Sequence, residues 1–280
     1  MTDLATAAPP ADTPRLAYAA LERRATLATV GVLSGLAVLA WWLTLGNAHD
    51  MTGMVQGIAS VGVAMPFDMN ALVFMAMWLT MMVAMMFPTV APIVLLHRLV
   101  MRRHHKGIRP TIAFTMGYLV IWTAIGLVPL GLLLAFRGVA DRAEWTAPTA
   151  GAVLLLAGAY QFTRWKDSCL RACRSPLTFL ATHDFGTGLR GTLRAGAAHG
   201  LYCLGCCWAL MAVLFVVGLM NLAWMAAIAV VFLAEKNWRY GRGLTRVVGA
   251  AVLALGVAVL VHPELLSSVA PASTKMPPMT

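Results

Sequence analysis

Long apolar runs separated by short clusters of arginine and lysine dominate the chain from Leu27 to Val261. A helix crosses the hydrocarbon layer with about 17–25 predominantly apolar residues. Runs of that kind fall at 27–45, 70–96, 111–136, 147–162, 200–218, 222–238 and 247–261. The stretch 195–234 is uncharged throughout and too long for one crossing. It must turn, and Gly218-Leu219-Met220-Asn221 is the natural place, since glycine and asparagine punctuate helices. The pattern therefore predicts an all-α, polytopic transmembrane helix bundle of about seven spans. One helical domain occupies 21–265. Residues 1–20, rich in alanine, proline and threonine, are expected to be a disordered tail, and 266–280 a flexible one. No basic-then-apolar-then-cleavage pattern opens the chain, so no signal peptide is expected.

Composition agrees with a membrane protein. Of 280 residues, 60% are hydrophobic and 11% charged, against about 25% charged in soluble domains. The net charge of +10 would suggest nucleic acid in a soluble chain, but here topology explains it and nucleic acid is not expected as a partner. Basic residues cluster at Arg15, Arg23 and Arg24, at 98–109, at 164–194 and at 236–246. These clusters hold eighteen of the 21 lysines and arginines, leaving Arg137, Arg142 and Lys275 for the other side. By the positive-inside rule the N-terminus is cytoplasmic and the C-terminus outside.

The chemistry concentrates in cysteine and methionine. All five cysteines lie between Cys169 and Cys207. Cys169 and Cys173 fall in a basic cytoplasmic loop. His199, Cys203, Cys206 and Cys207 lie on the opening turns of the fifth span. Helical spacing puts them on one stripe, continued by Met211. Thiolate, imidazole and thioether together suit a soft or borderline metal, Cu(I) first and Zn(II) second. Cytosolic thiols stay reduced, which favours a metal site or a working redox pair over a structural disulfide. One straight helix cannot wrap all four groups around an ion, so Cys169 and Cys173 are candidates to complete the site. The competing reading is that the cysteines are small hydrophobes between close-packed helices, a packing that Gly196, Gly200 and Gly205 also suggest.

The second span carries Met75, Met77, Met81, Met82, Met85 and Met86. Met77, Met81 and Met85 are helical neighbours, as are Met82 and Met86. Thioethers select Cu(I) over hard cations, and M-x3-M spacing resembles the methionine gate of high-affinity copper transporters. Methionine also fills apolar cores, so packing competes with metal handling. Pro88 and Pro92 free backbone carbonyls, which is tolerated where a neighbour satisfies them. That argues for a helix facing protein. Asp68 at the outer mouth reads as a helix cap before a cation attractor. Glu235 ends the sixth span, where a carboxylate is a functional candidate by default. It is read as a ligand, a proton acceptor, or the partner of Lys236 or a loop arginine. His97, His104 and His105 sit in a basic run that reads as an anchor facing anionic lipid. No Walker loop, G-x-S-x-G or H-E-x-x-H is present, so neither an ATP-driven pump nor an enzyme is marked.

Three passages resemble a known family. They are Met77-Trp78-x2-Met81-x3-Met85-Met86-x-Pro88, then Tyr160-Gln161 with Lys166-x2-Cys169-Leu170-x2-Cys173-Arg174-Ser175-Pro176, then His199-Gly200-x2-Cys203-x-Gly205-Cys206-Cys207-Trp208 continuing to Glu235-Lys236. The chain resembles bacterial integral membrane proteins of unknown function described as predicted metal-binding. That family usually has Thr-Pro-Leu-Lys where this chain has Thr163-Arg164-Trp165-Lys166, a departure that spares the cysteines. The resemblance implies a multi-pass protein of the bacterial inner membrane that binds a metal. The residues' own reading is Cu(I) transport, storage or delivery, with a membrane or soluble partner protein. Two rivals stand beside it. Cys203-x2-Cys206 is formally a redox motif, so a membrane thiol-disulfide oxidoreductase is one. The other is a structural or assembly subunit of a larger complex.

Overall fold

The computed structural model describes residues 13–51, 71–104, 106–135, 146–182, 188–218 and 221–265. Nine helices lie among them: α1 Thr13–Met51, α2 Ala71–Arg103, α3 Arg109–Ala135, α4 Thr146–Tyr160, α5 Arg164–Arg174, α6 Pro176–Thr182, α7 Gly188–Val217, α8 Leu222–Asn237 and α9 Gly241–Val261. The chain is all-α, as the apolar runs predict. α1 starts at Thr13, inside the stretch expected to be a tail. Asp68, His105, Asp141 and the stretch 266–280 lie outside the described residues.

Five helices contain segments long and apolar enough to cross a membrane: 27–46, 71–103, 109–132, 188–217 and 241–261. α4 and α8 have only 15 and 16 residues, which at 1.5 Å per residue is roughly 22–24 Å. The hydrocarbon layer is about 30 Å thick. Apolar content gives these two runs the look of spans, but the helices themselves end at Tyr160 and Asn237.

Two further expectations change. Cys169 and Cys173 do not sit in a loop but on the 11-residue α5. Thr163 caps it, its side chain accepting from the Lys166 N–H at 3.2 Å. Pro176, which disfavours helix in the residue before it, ends it. The fifth span also begins earlier than its hydropathy suggests, at Gly188. The small residues there continue the helix because α3 needs close approach. Gly196 presses on the Phe114 carbonyl and Gly117 on that of Leu193, leaving no room for a β-carbon. The cysteines therefore lie in the middle of α7. The turn at 218–221 is as predicted. Gly218 takes a positive φ of 104°, and Asn221 caps α8 by accepting from the Trp224 N–H at 3.3 Å.

α3 lies along α7, α4 along α9 and α1 along α2, while α2 also touches α8 and α5 lies across α7. Met81, Met82, Met85 and Met86 share the core with Phe114, Trp122, Leu214 and Phe232. Pro88 and Pro92 face outward. The buried methionines of α2 thus face protein, while Pro88 and Pro92, exposed, continue the stripe of Met81 and Met85 toward the helix C-terminus. Pro88 leaves the Ala84 carbonyl without its helical donor, and the Trp41 indole of α1 supplies one at 3.1 Å.

Candidate metal centre

The α-helical period brings Cys203, Cys206 and Cys207 to one side of α7, where all three are buried. Their sulfurs lie within 4.8 Å of one another. Cys173 comes from α5 to stand with its sulfur 3.8 Å from that of Cys206. The Cys169 sulfur occupies the space that a side chain at Gly205 would fill. All five cysteines thus meet where α5 crosses α7. With metal–sulfur bonds of about 2.3 Å, two sulfurs on one ion stand roughly 3.8 Å apart in a tetrahedron and 4.6 Å in a line. The 3.8 Å between the Cys173 and Cys206 sulfurs matches the first of these. Burial pushes the Cys169 thiol up, with the nearby Cys206 adding to it. Hydrogen bonds to Cys203 and Cys206, and then burial, hold the Cys173 thiol well above its ordinary value. A metal arriving at α5 must displace protons.

Two lysines complete the surroundings, and neither figures among the site residues expected from sequence. Lys236 is buried and its ammonium donates to the Cys203 sulfur at 3.1 Å and to the Thr89 hydroxyl at 3.2 Å. The Met86 sulfur lies 4.0 Å from the same nitrogen. Lys166 donates to the Cys206 carbonyl and pairs with Glu235 at 2.8 Å, both side chains being 1% exposed. Glu235 is therefore the partner of Lys166 rather than of Lys236 or an arginine, and it lies at the depth of the sulfurs as the short turn predicts. Arg174 donates to the carbonyls of Glu235 and Trp238. A lysine closing an apolar run, as Lys236 does, was the sequence signal, because such a charge must find neutralising company.

The remaining candidates divide. His199 is buried one turn before Cys203, and its ring lies among Phe114, Tyr118 and Phe179 rather than in the sulfur triad. The Tyr118 hydroxyl meets the Cys203 sulfur at 3.3 Å. Met86 reaches the site, whereas Met82, Met85, Met81 and half-buried Met77 extend along α2 away from it. Met211 is buried one turn beyond Cys207. His97 is not on the lipid-facing surface. It is buried, stacks on Phe114 and shares a 3.3 Å hydrogen bond with Thr111. A cavity of about 160 Å³ reaches the site, lined by Thr89, Cys173, Arg174, His199 and Lys236 among others.

A family model described as PpoB2, copper chaperone, matches residues 75–259. No curated protein and no solved structure matches the chain.

Proposed function

Because the chain belongs to the PpoB2 copper chaperone family, we propose that it holds Cu(I) in the membrane at the sulfur nest and passes it to a partner protein. The observation that carries this reading is the meeting of Cys173 with Cys203, Cys206 and Cys207, four sulfurs from two helices at metal-binding separations. Thiolates select Cu(I), and Zn(II) is the second choice. Cys169 stands in reserve beside Gly205. The charge balance fits a thiolate-bound monovalent ion, since two or three thiolates around Cu(I) leave a net negative charge beside the Lys236 ammonium. The oxidoreductase reading has less support, because Cys203 and Cys206 are 0% and 1% exposed and disulfide exchange needs access to sulfur. Purified under reducing conditions and titrated against a Cu(I) chelator, the protein should take up copper stoichiometrically. Failure to compete for Cu(I) would remove the reading.

In this proposal Met77, Met81, Met82, Met85 and Met86 form a thioether path from the α2 N-terminal side, a separate entry, since none of them lines the cavity at Cys173, Arg174 and Lys236. Met82→Leu with Met86→Leu should leave the final Cu(I) stoichiometry near that of the unmodified protein. Loading from the α2 N-terminal side should slow several-fold, read by stopped-flow copper uptake into proteoliposomes. An unchanged rate would make these methionines packing residues.

We further place the N-terminus in the cytoplasm and the C-terminus outside, with α4 and α8 as short crossings in a seven-span inner-membrane bundle. Asp167 pairs with Arg242 at 3.4 Å and Arg174 reaches Trp238, which supports one common side for the 164–174 and 236–246 clusters. Labelling of single cysteines placed in a cysteine-free background should find positions 103, 171 and 242 cytoplasmic and position 141 external. A cytoplasmic position 141 reverses the assignment.

A further inference from the structure

The cavity that opens onto the sulfur nest is lined by two cations, Lys236 and Arg174, with Cys173 and His199 and no carboxylate. Neither cation has an acidic partner among the described residues. Lys236 meets a cysteine sulfur, a hydroxyl and a thioether, and Arg174 meets two backbone carbonyls. The carboxylate of Glu235 is committed to Lys166. The approach therefore presents two cationic side chains and no carboxylate. A bare or aquated copper cation is repelled there, whereas an anion is drawn in.

We infer that this cavity receives copper as an anionic Cu(I)–thiolate complex, a Cu(I) ion held by two thiolates with one net negative charge, and not as a free cation. The inference rests on the copper reading above and adds the chemical form of the cargo. Cys173 lines the cavity and stands 3.8 Å from Cys206, so it is the first sulfur the complex meets. In the first exchange the copper–sulfur bond to one donor thiolate breaks and a bond to the Cys173 sulfur forms. The Cys173 proton leaves on the released donor as a free thiol. In the second, Cys206 replaces the other donor thiolate in the same way. Copper stays Cu(I) throughout, no electron moves, and the complex keeps its single negative charge beside Lys236 and Arg174. No outside oxidant or reductant is required.

The test compares two donors on the full chain purified in detergent. One is the Cu(I) complex of glutathione, an anionic thiolate donor. The other is the Cu(I) acetonitrile complex, a cation. Loading is followed by the copper–thiolate charge-transfer absorption as ionic strength is varied. In the unmodified protein, added salt should slow loading from the anionic donor and speed it from the cationic one. Lys236→Gln should lower the anionic-to-cationic rate ratio about tenfold, the scale of electrostatic steering, and Lys236→Arg should keep it. A structural role for Lys236 would change both donors alike. Rates insensitive to salt, with the same ratio in Lys236→Gln, overturn the inference while copper binding stands. Loading from neither donor overturns the copper reading and the inference together. If Lys236→Gln does not insert, the opposite salt trends in the unmodified protein still decide.

Discussion

Cys203→Ser, Cys206→Ser and Cys207→Ser combined should reduce tight Cu(I) binding to background while the protein still inserts and purifies. The three sulfurs form one buried group, and serine keeps nearly the same volume while losing the soft donor. Thiolate sites hold even zinc with roughly 10–16 kcal/mol in small peptides, so their loss takes affinity out of the measurable range. Chelator competition with elemental analysis reads the result. Retention of the unmodified stoichiometry would leave these cysteines as packing residues. The pH trend follows from proton competition. The Cys169 and Cys173 thiols are held protonated by burial and their neighbours, so binding releases protons. Apparent affinity should therefore rise with pH and fall as pH drops.

The second large effect is on stability. Lys166 and Glu235 form an ion pair in which both side chains are 1% exposed. Removing one partner leaves an uncompensated charge in a low-dielectric interior, at a cost of about 3–5 kcal/mol. Glu235→Ala should lower the detergent melting temperature by roughly 10 °C, and Lys166→Met with Glu235→Leu should recover most of it. By contrast Asp167→Asn, which breaks the surface pairs to Arg171 and Arg242, should cost at most about 1 kcal/mol per pair. Equal losses from the buried and surface changes would refute this assignment. Because Lys166 also holds the Cys206 carbonyl, Glu235→Ala should loosen α5 over the sulfurs as well.

What could be read from sequence was what depends on local periodicity. The common side of Cys203, Cys206 and Cys207, the buried Met81, Met82, Met85 and Met86, and the break at Gly218 follow from helical spacing and backbone preference, while His199 turns to an aromatic cluster that spacing does not foretell. Positions fixed by another part of the chain were not legible. The basic, polar 164–174 segment reads as loop because its buried face consists of a lysine, a leucine and two cysteines, and only α7 and α8 make that face worth burying. The early start of α7 depends on glycines that fit the backbone of α3. The partner of Glu235 stands 69 positions earlier in the chain, beyond any periodic signal. Hydropathy marks α4 and α8 by composition and does not give their lengths of 15 and 16 residues.

The indole of Trp41 has a consequence for what can be called one unit. It supplies the donor that Pro88 denies to the Ala84 carbonyl, yet Trp41 precedes the region 75–259 that the family model covers. In hydrocarbon an orphaned carbonyl costs several kcal/mol. The family-defining segment of this chain is therefore not self-sufficient in backbone hydrogen bonding. α1 belongs to its folding unit, a helix borrowed from outside the shared region to close a gap that a proline inside it opens.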